Sequence, residues 1–411
     1  MIVDDPIGII ELGNIKIKCI IVKINNENVA EILSTSSIDS EGIHNGVIIN
    51  ITKASNAIRS CISKAEKKAE ISIKKINVVI EQPEFLCTKL SKDRKINGSK
   101  VQKEDIEFLL KEAKKQVNLN DKKQSIIHIF NHNYIVDGKT FLEEPIDVYA
   151  DYLSHEMTFI TMPKNNIKNI NQTFINCDIE VERLISCTFA LAIELLNYDD
   201  FFNGSILVDL GFEKTSLGLF KNLALINSFT LPIGINHIVK DISKICSLSL
   251  EESNTITKEI DFSFDSNNQF FDRQDYLKKD YFTYSSFRKI SKSLILNVIR
   301  TRIDEIFKLI KKQILLTRLN SNFGTKFFIV GGGSKLINMD VYCSNFFESE
   351  VEKLINNKKT KNENKMVENF SSCLGALKLI QNGWETEAIP ESMDTNSQKK
   401  GFLAKIFSNL R

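Results

Sequence analysis

Three glycine-containing turns carry the residue types that phosphate binding requires. They are Glu11-Leu12-Gly13-Asn14, Asp209-Leu210-Gly211 and Gly331-Gly332-Gly333-Ser334, far apart in the chain. Glycine lets backbone amides approach a polyphosphate closely, and such sites form where a strand turns, often into a helix. The three turns therefore predict phosphate binding, and ordinary packing turns are the alternative interpretation.

The two best-known nucleotide-binding fingerprints do not occur in the sequence. Gly331-x-Gly333 is followed by Lys335 and Leu336 without a third glycine, and no G-x-x-x-x-G-K-S/T sequence is present. This disfavours a Rossmann dehydrogenase and a P-loop enzyme.

Composition narrows the class of protein further. Hydrophobic residues make up 42% and charged residues 26% of the 411 residues, as in globular proteins. The 54 basic and 52 acidic side chains leave a net charge of +2, which predicts no nucleic-acid partner. Eight cysteines without a Cys-x-x-Cys pair indicate reduced core thiols. Asp4 and Asp5 stand where a secretory signal needs basic charge, so we expect a cytoplasmic protein.

Hydrophobic periodicity predicts the elements that position the three turns. Two strands joined at Gly13 are expected within Ile7–Ile24, and a strand running into a glycine turn within Lys326–Ser334. Further strands are predicted over Ile76–Ile80, Ser125–Val136, His155–Met162 and Ser205–Asp209. Helices are predicted over Thr52–Ala69, Lys103–Val117, Glu182–Leu196, Glu251–Glu259 and Phe287–Leu316. This alternation indicates an α/β architecture in two lobes.

The order of these features resembles the actin/Hsp70/sugar-kinase superfamily, and within it FtsA, the bacterial cell-division actin homologue. The motifs that carry the resemblance are Gly42–Ile48, Glu104-Asp105 with Ala113-Lys114, His128 followed by Asp137-Gly138 and Pro145, Ile299–Ile306, and Phe370 with Gly375-Ala376-Leu377. No single motif is specific, so the evidence lies in their order and spacing over nearly the whole chain.

The resemblance implies an α/β, two-lobed actin-like ATPase fold with an inserted small α+β subdomain. The boundaries that it implies are 1–80 for the first-lobe core with the first phosphate loop, 81–160 for the inserted subdomain, 161–202 for first-lobe helices, 203–246 for the second-lobe core with the second phosphate loop, 247–325 for the second-lobe outer subdomain, 326–370 for the second-lobe core with the adenosine loop, 371–384 for the closing helix, 385–398 for a linker and 399–411 for an amphipathic membrane-targeting helix.

For the nucleotide site, the resemblance implies ATP and Mg²⁺ as cofactors. The implied binding residues are Glu11, Gly13, Asn14, Asp209, Gly211, Gly331, Gly332, Gly333 and Ser334. Glu11 and Asp209 would orient Mg²⁺ through water, and no residue is assigned a catalytic role. The second turn departs from the family, since Phe212 and Glu213 stand where glycine amides should face phosphate. Two like charges at about 4 Å repel by about 4 kcal/mol, so we expect weak or lost ATPase activity.

The carboxyl end has the pattern of a membrane-binding helix. On a helix, one face would be apolar and the opposite side basic. The apolar residues are Phe402, Leu403, Ile406, Phe407 and Leu410, and the basic residues are Lys399, Lys400, Lys405 and Arg411. A polar linker of about fifteen residues would reach on the order of 20 Å. Docking of this helix on the body of the protein is the alternative.

Basic residues cluster in and before the predicted Phe287–Leu316 helix, namely Arg288, Lys289, Lys292, Arg300 and Arg302. A solvated helical face is the simpler interpretation. The resemblance implies instead that Arg288, Lys292, Arg300 and Arg302 bind the acidic C-terminal peptide of the tubulin-like protein FtsZ.

Together these features predict a cell-division scaffold that tethers FtsZ filaments to the inner face of the cytoplasmic membrane. The expected partners are the FtsZ peptide, other copies of the chain in an actin-like polymer, an anionic membrane surface and downstream division proteins. The expected location is peripheral, at the cytoplasmic face of the division site. The alternatives are an actin-fold ATPase or small-molecule kinase, and a pilus-assembly scaffold of the same fold.

Overall fold

The computed structural model of this protein describes residues 6–25, 28–261, 270–317, 325–354 and 361–381. These residues form two compact units. The first contains residues 6–204, 218–229 and 361–381 of the described chain, and the second contains residues 205–217 and 230–354.

The first half of the chain contains, in order, β1 (Ile7–Leu12), β2 (Lys16–Ile24), β3 (Ala30–Asp39), β4 (Ile43–His44), β5 (Val47–Ile48), α1 (Ile51–Ala69), β6 (Lys75–Ile80), β7 (Leu86–Lys100), α2 (Lys103–Asn120), β8 (Gln124–Val136), β9 (Lys139–Phe141), β10 (Tyr149–Pro163), α3 (Lys164–Ile175), β11 (Glu180–Ser186), α4 (Cys187–Leu195) and α5 (Tyr198–Asn203).

The second half contains β12 (Ser205–Leu210), β13 (Thr215–Lys221), β14 (Ala224–Leu231), α6 (Ile235–Cys246), α7 (Leu250–Glu259), α8 (Lys292–Leu316), β15 (Lys326–Val330), α9 (Met339–Phe347), β16 (Val351–Lys353) and α10 (Lys361–Gln381).

Two five-stranded sheets share one topology. The first has the order β11-β6-β1-β2-β3, with β6 parallel to β1 and β11 parallel to β6. The second has the order β14-β13-β12-β15-β16, with β15 parallel to β12 and β16 parallel to β15. In each sheet, three strands that are consecutive in sequence are followed by two parallel strands, so the same arrangement occurs twice.

The inserted subdomain lies in the chain between β6 and α3. Its four-stranded sheet has the order β7-β10-β8-β9. Apolar residues of α2, among them Ile106, Leu109 and Ala113, are buried in two hydrophobic clusters with residues of β8 and β10. Asp105 fixes the start of α2, because its carboxylate accepts a hydrogen bond from the backbone N–H of Gln102 at 2.8 Å. The subdomain thus has its own helix-on-sheet core.

The last described helix, α10, packs on the first unit through a contact that excludes any side chain at Gly375. A Cβ there would overlap the carbonyl oxygen of Ala190 in α4. Ser372 and Lys378, on either side of this contact, bond to Glu11 and Glu194 of the same unit. Backbone proximity at a glycine and polar contacts on both sides fix the position of α10.

Most of the elements predicted from periodicity are confirmed, and one is wrong. A helix was expected over Glu182–Leu196, but β11 occupies Glu180–Ser186 and the helix starts only at Cys187. Parallel pairing of β11 with β6 buries Leu184 and Ile185, which outweighs the helical spacing of a short apolar run.

The predicted helix over Phe287–Leu316 begins five residues later, at Lys292. The residues just before Lys292 pair with another segment instead of forming a helix. The backbone N–H of Leu277 donates to the carbonyl oxygen of Ile290 at 2.9 Å, and Tyr276 and Ser291 form an antiparallel bridge. The helix starts where the hydroxyl of Ser291 accepts a hydrogen bond from the N–H of Leu294.

Candidate functional site

The first glycine turn joins β1 to β2 in the first unit. A Cβ at Gly13 would lie 2.5 Å from the carbonyl oxygen of Lys16, so the turn closes only around glycine. The Asn14 side chain accepts a hydrogen bond from the backbone N–H of Gly46 at 3.1 Å, and its amide lies 3.5 Å from Asn45 Oδ1. Asn14 therefore holds the neighbouring turn in place with the side chain that the resemblance assigned to phosphate.

Glu11 forms an ion pair inside this hairpin. Lys18 lies directly opposite Glu11 in the strand register, and its Nζ is 2.9 Å from Glu11 Oε2. The same oxygen accepts a hydrogen bond from the hydroxyl of Ser372 at 2.6 Å. Burial acts to lower the pKa of Lys18, but the adjacent Glu11 carboxylate outweighs burial and the pKa is raised. The Glu11 charge is thus compensated from within the protein.

Lys18 was missed at the level of sequence, although the signal was present. A hairpin that closes at Gly13 and pairs Leu12 with Ile17 must place Glu11 opposite Lys18. Opposite charges at facing positions of an antiparallel pair are a recognised stabilising arrangement. A tight hairpin with this register therefore predicts the contact between Glu11 and Lys18.

The second turn, between β12 and β13, is held by the start of α6. The backbone N–H of Ile235 donates to the carbonyl oxygen of Gly211 at 3.1 Å, and that of Asn236 donates to Phe212 at 2.7 Å. Helix N-termini bind anions through such N–H groups. Because the protein's own carbonyl oxygens accept from these two amides, α6 is poorly suited to bind phosphate with them.

Glu213 was expected to repel phosphate, and the structure gives it other contacts. The Asn236 side-chain amide donates to Glu213 Oε1 at 2.6 Å, and Lys240 Nζ lies 3.8 Å from Oε2. The carboxylate is therefore bonded to the first two turns of α6, where it helps to hold the turn against the helix.

The third turn follows β15 and lies against Asp209 of the same unit. Gly331 has φ of +86°, and a Cβ there would overlap Asp209 Oδ1. Gly333 packs on Ile235, while the Ser334 hydroxyl donates to the carbonyl oxygen of Gly331 at 2.8 Å. A Cβ at Gly332 would meet no atom within 4 Å in the described part of the chain. Among the three glycines of this turn, Gly332 is thus the one beside open space in the described part of the chain.

The buried polar groups of the α7 helix are used structurally. Buried Glu252 accepts hydrogen bonds from the N–H groups of Tyr284 and Ser285, at 2.8 and 3.0 Å. Burial opposes ionisation of Glu252, but these bonds and those from Ser285 Oγ and Ser249 N–H outweigh it and lower its pKa to about 2. Glu252 therefore anchors the loop before α8.

The four basic residues predicted to bind a partner have separate surroundings. Arg302 Nε donates to Asp241 at 2.6 Å and its Nη1 to Glu305 at 2.5 Å, and the hydrogen bond to Asp241 raises the pKa of Arg302. Arg288 donates to the carbonyl oxygen of Ser247 at 3.0 Å. Lys292 Nζ lies 4.0 Å from Asp275, and Arg300 is half-buried on α8.

A groove of about 340 Å³ lies between α6 and α8, with Arg302 in its wall. Ile245 and Leu294 line it and are 53% and 41% exposed, which is high for large apolar side chains. The complete lining is Asp241, Ile245, Leu294, Asn297, Val298, Thr301, Arg302 and Glu305. The groove combines an exposed apolar surface with one arginine between two carboxylates.

The residues predicted to bind the membrane, 399–411, and the linker 385–398 lie outside the described residues. In the described ranges, no helix is long and apolar enough to cross a membrane. Nor do the described residues contain a cluster of three or more His, Cys, Asp or Glu side chains that would hold a metal ion.

Sequence similarity to known proteins extends over the inserted subdomain and over most of the chain. The family model "SHS2 domain inserted in FTSA" matches residues 85–161, which contain β7, α2, β8, β9 and most of β10. The cell division protein FtsA of Agrobacterium fabrum is 22% identical over 345 residues, covering 80% of this chain and 76% of the relative. The FtsA of Borreliella burgdorferi is 25% identical over 334 residues, covering 79% and 78%.

This chain resembles FtsA. The resemblance expected from the sequence motifs is therefore confirmed.

Solved structures support the fold. The PilM–PilN type IV pilus biogenesis complex matches with a TM-score of 0.62 at 12% identity, covering 91% of this chain and 98% of that chain. MreB5 of Spiroplasma citri bound to ADP matches with a TM-score of 0.50 at 12% identity, covering 92% and 99%. At such identity the likeness concerns the fold alone. With the repeated sheet and the SHS2 match, it confirms the actin-like fold with an inserted subdomain.

The glycines of the third turn should differ sharply in their tolerance of a side chain. Gly331→Ala places a Cβ at positive φ and against Asp209, so we expect a loss of about 1–3 kcal/mol in the free energy of unfolding. Gly332→Ala meets no atom and should leave stability unchanged or slightly raised. Urea denaturation followed by circular dichroism measures both, and equal effects would contradict this account of the turn.

Proposed function

We propose that this FtsA-like chain acts in cell division as a scaffold that joins FtsZ filaments to the inner face of the cytoplasmic membrane. The observation that carries the proposal is the FTSA-type SHS2 domain inserted in an actin-like body, with division proteins matching about 80% of the chain. The proposed location is peripheral, at the cytoplasmic face of the division site. The nine-segment division of the chain, including the subdomain at 81–160 and the linker at 385–398, is part of the proposal.

The membrane contact is proposed for residues 399–411. Their sequence gives one apolar and one basic side on a helix, and each basic residue near an anionic surface contributes about 1 kcal/mol. A short helix of this kind binds weakly alone. Self-association of the body, as an actin-like polymer, would bring many such helices to one surface and increase the overall affinity.

Removal of residues 399–411 should abolish sedimentation of the protein with vesicles that contain phosphatidylglycerol. The double variant S408A/N409A changes only positions outside the apolar and basic sets, and we expect it to sediment like the unaltered protein. Circular dichroism of the truncated chain should be unchanged in the body. Undiminished sedimentation of the folded truncated chain would refute the membrane role.

The partner surface is proposed for the groove between α6 and α8. An acidic, partly apolar peptide such as the FtsZ carboxyl end would place apolar side chains against Ile245 and Leu294. Its carboxylate would replace Glu305 at Arg302, because Glu305 is the more exposed of the two partners of that arginine. Exposed ion pairs contribute about 0–1 kcal/mol, so this exchange costs little. Arg288, Lys292 and Arg300 are proposed to add longer-range attraction.

Reversing the charge at Arg302 should weaken binding of a synthetic acidic FtsZ carboxyl-terminal peptide. For Arg302→Glu we expect a loss of at least about tenfold in affinity, which corresponds to about 1.4 kcal/mol. Lys289→Glu is the matched control, since Lys289 carries the same charge near Tyr276 but does not line the groove. Fluorescence anisotropy measures both affinities. Equal affinities for Arg302→Glu, Lys289→Glu and the unaltered protein would exclude the groove.

For the nucleotide, we propose ATP as a ligand with weak or no hydrolysis. The support is the open backbone at Gly332 beside Asp209 and Gly331, together with the fold shared with MreB5, whose structure contains ADP. Gly211, Gly333 and Ser334 belong to the same two turns, and Glu11, Gly13 and Asn14 form the first turn. The contacts of Glu11 do not fit a Mg²⁺ site. A kinase or active ATPase is therefore the weaker alternative.

A pilus-assembly scaffold is the remaining alternative, since the PilM–PilN complex shares the fold. Its 12% identity supports no more than the fold. The FTSA-type SHS2 match and the extended similarity to division proteins favour the division role, and downstream division proteins are proposed as further partners.

A further inference from the structure

We infer that Lys18 supplies to Glu11 the positive charge that a divalent metal would supply, so that this half of the candidate phosphate site functions without Mg²⁺. This inference concerns residues of the first unit only. It does not depend on the proposed role in cell division.

The geometry of the pair is the first argument. Lys18 Nζ lies 2.9 Å from Glu11 Oε2, and the two residues face each other across the β1–β2 hairpin. The Lys18 and Glu11 side chains are only 27% and 16% exposed, so solvent screens the pair far less than a surface pair. The strand register fixes both backbones, which makes the contact a consequence of the hairpin itself.

The bonding of the carboxylate is the second argument. Glu11 Oε2 receives a proton donor from the ammonium of Lys18 and another from the hydroxyl of Ser372. A carboxylate that orients the water shell of Mg²⁺ must offer its oxygens to those waters. Here Oε2 already accepts two protein donors, and a metal near that oxygen would lie close to a fixed ammonium group. Like charges at that range repel, so Lys18 and a divalent ion compete for one carboxylate.

Acylation of lysine measures directly how far the Lys18 amine is held by Glu11. We propose brief labelling with acetic anhydride in mildly alkaline buffer, with peptide mass spectrometry to follow Lys18 and Lys16. Lys16 lies on the same strand, where its side chain is 47% exposed and forms an ion pair with the exposed Asp39 at 2.7 Å, and it serves as the internal control for an exposed ion pair. In the unaltered protein, Lys18 should react at least about tenfold more slowly than Lys16, because its amine is bonded to the Glu11 carboxylate and its side chain is less exposed.

Addition of millimolar MgCl₂, alone or with ATP, should leave the labelling of Lys18 unchanged. The Glu11→Gln variant should raise Lys18 labelling at least about tenfold relative to Lys16, with circular dichroism reporting the fold. Labelling of Lys18 as fast as Lys16 in the unaltered protein would overturn the inference. So would an increase caused by Mg²⁺, which would show that the metal displaces Lys18, or unchanged labelling in folded Glu11→Gln.

Discussion

The close approach of α10 to α4 at Gly375 is the constraint on which the first unit depends. No side chain fits between the Gly375 backbone and the carbonyl oxygen of Ala190, so the helix has one depth of packing. At that depth Ser372 reaches Glu11 on β1, and Lys378 lies 3.0 Å from Glu194 on α4. The segment that precedes the proposed linker and membrane helix is thereby joined to the central sheet. In the proposed scaffold, force on the carboxyl end would act on a packed unit.

The two five-stranded sheets share a topology, and the glycine turn in each is bonded to groups of the protein itself. In the first unit, Lys18 and Ser372 bond to the turn's carboxylate. In the second, the first amides of α6 bond to the carbonyl oxygens of Gly211 and Phe212. Groups that bind a metal or a phosphate in a nucleotide-hydrolysing protein are here bonded within the chain. This bonding supports the proposed scaffold role, and in the described part of the chain a Cβ at Gly332 would meet open space.

Much of the fold could be predicted from the sequence, because long periodic segments and turn chemistry are local properties. The α1 and α2 helices follow from hydrophobic spacing, and the hairpin follows from the turn at Gly13. The helix predicted from Glu182 to Leu196 was wrong in its first part, because the strand there depends on pairing with β6, a contact that local spacing does not encode. The basic residues near α8 illustrate a second limit. Their charges are visible in the sequence, but whether each has a carboxylate partner, as Arg302 has Asp241, depends on tertiary packing.

The claim that α10 is an integral part of the first unit can be tested by native-state hydrogen exchange. The account predicts that amides of residues 371–381 exchange as slowly as those of β1 and β2, since local stability follows packing and buried contacts. Exchange of the α10 amides in the fastest class, while β1 and β2 remain protected, would show that the helix detaches independently. That result would contradict the proposed fixed connection between the body and its carboxyl end.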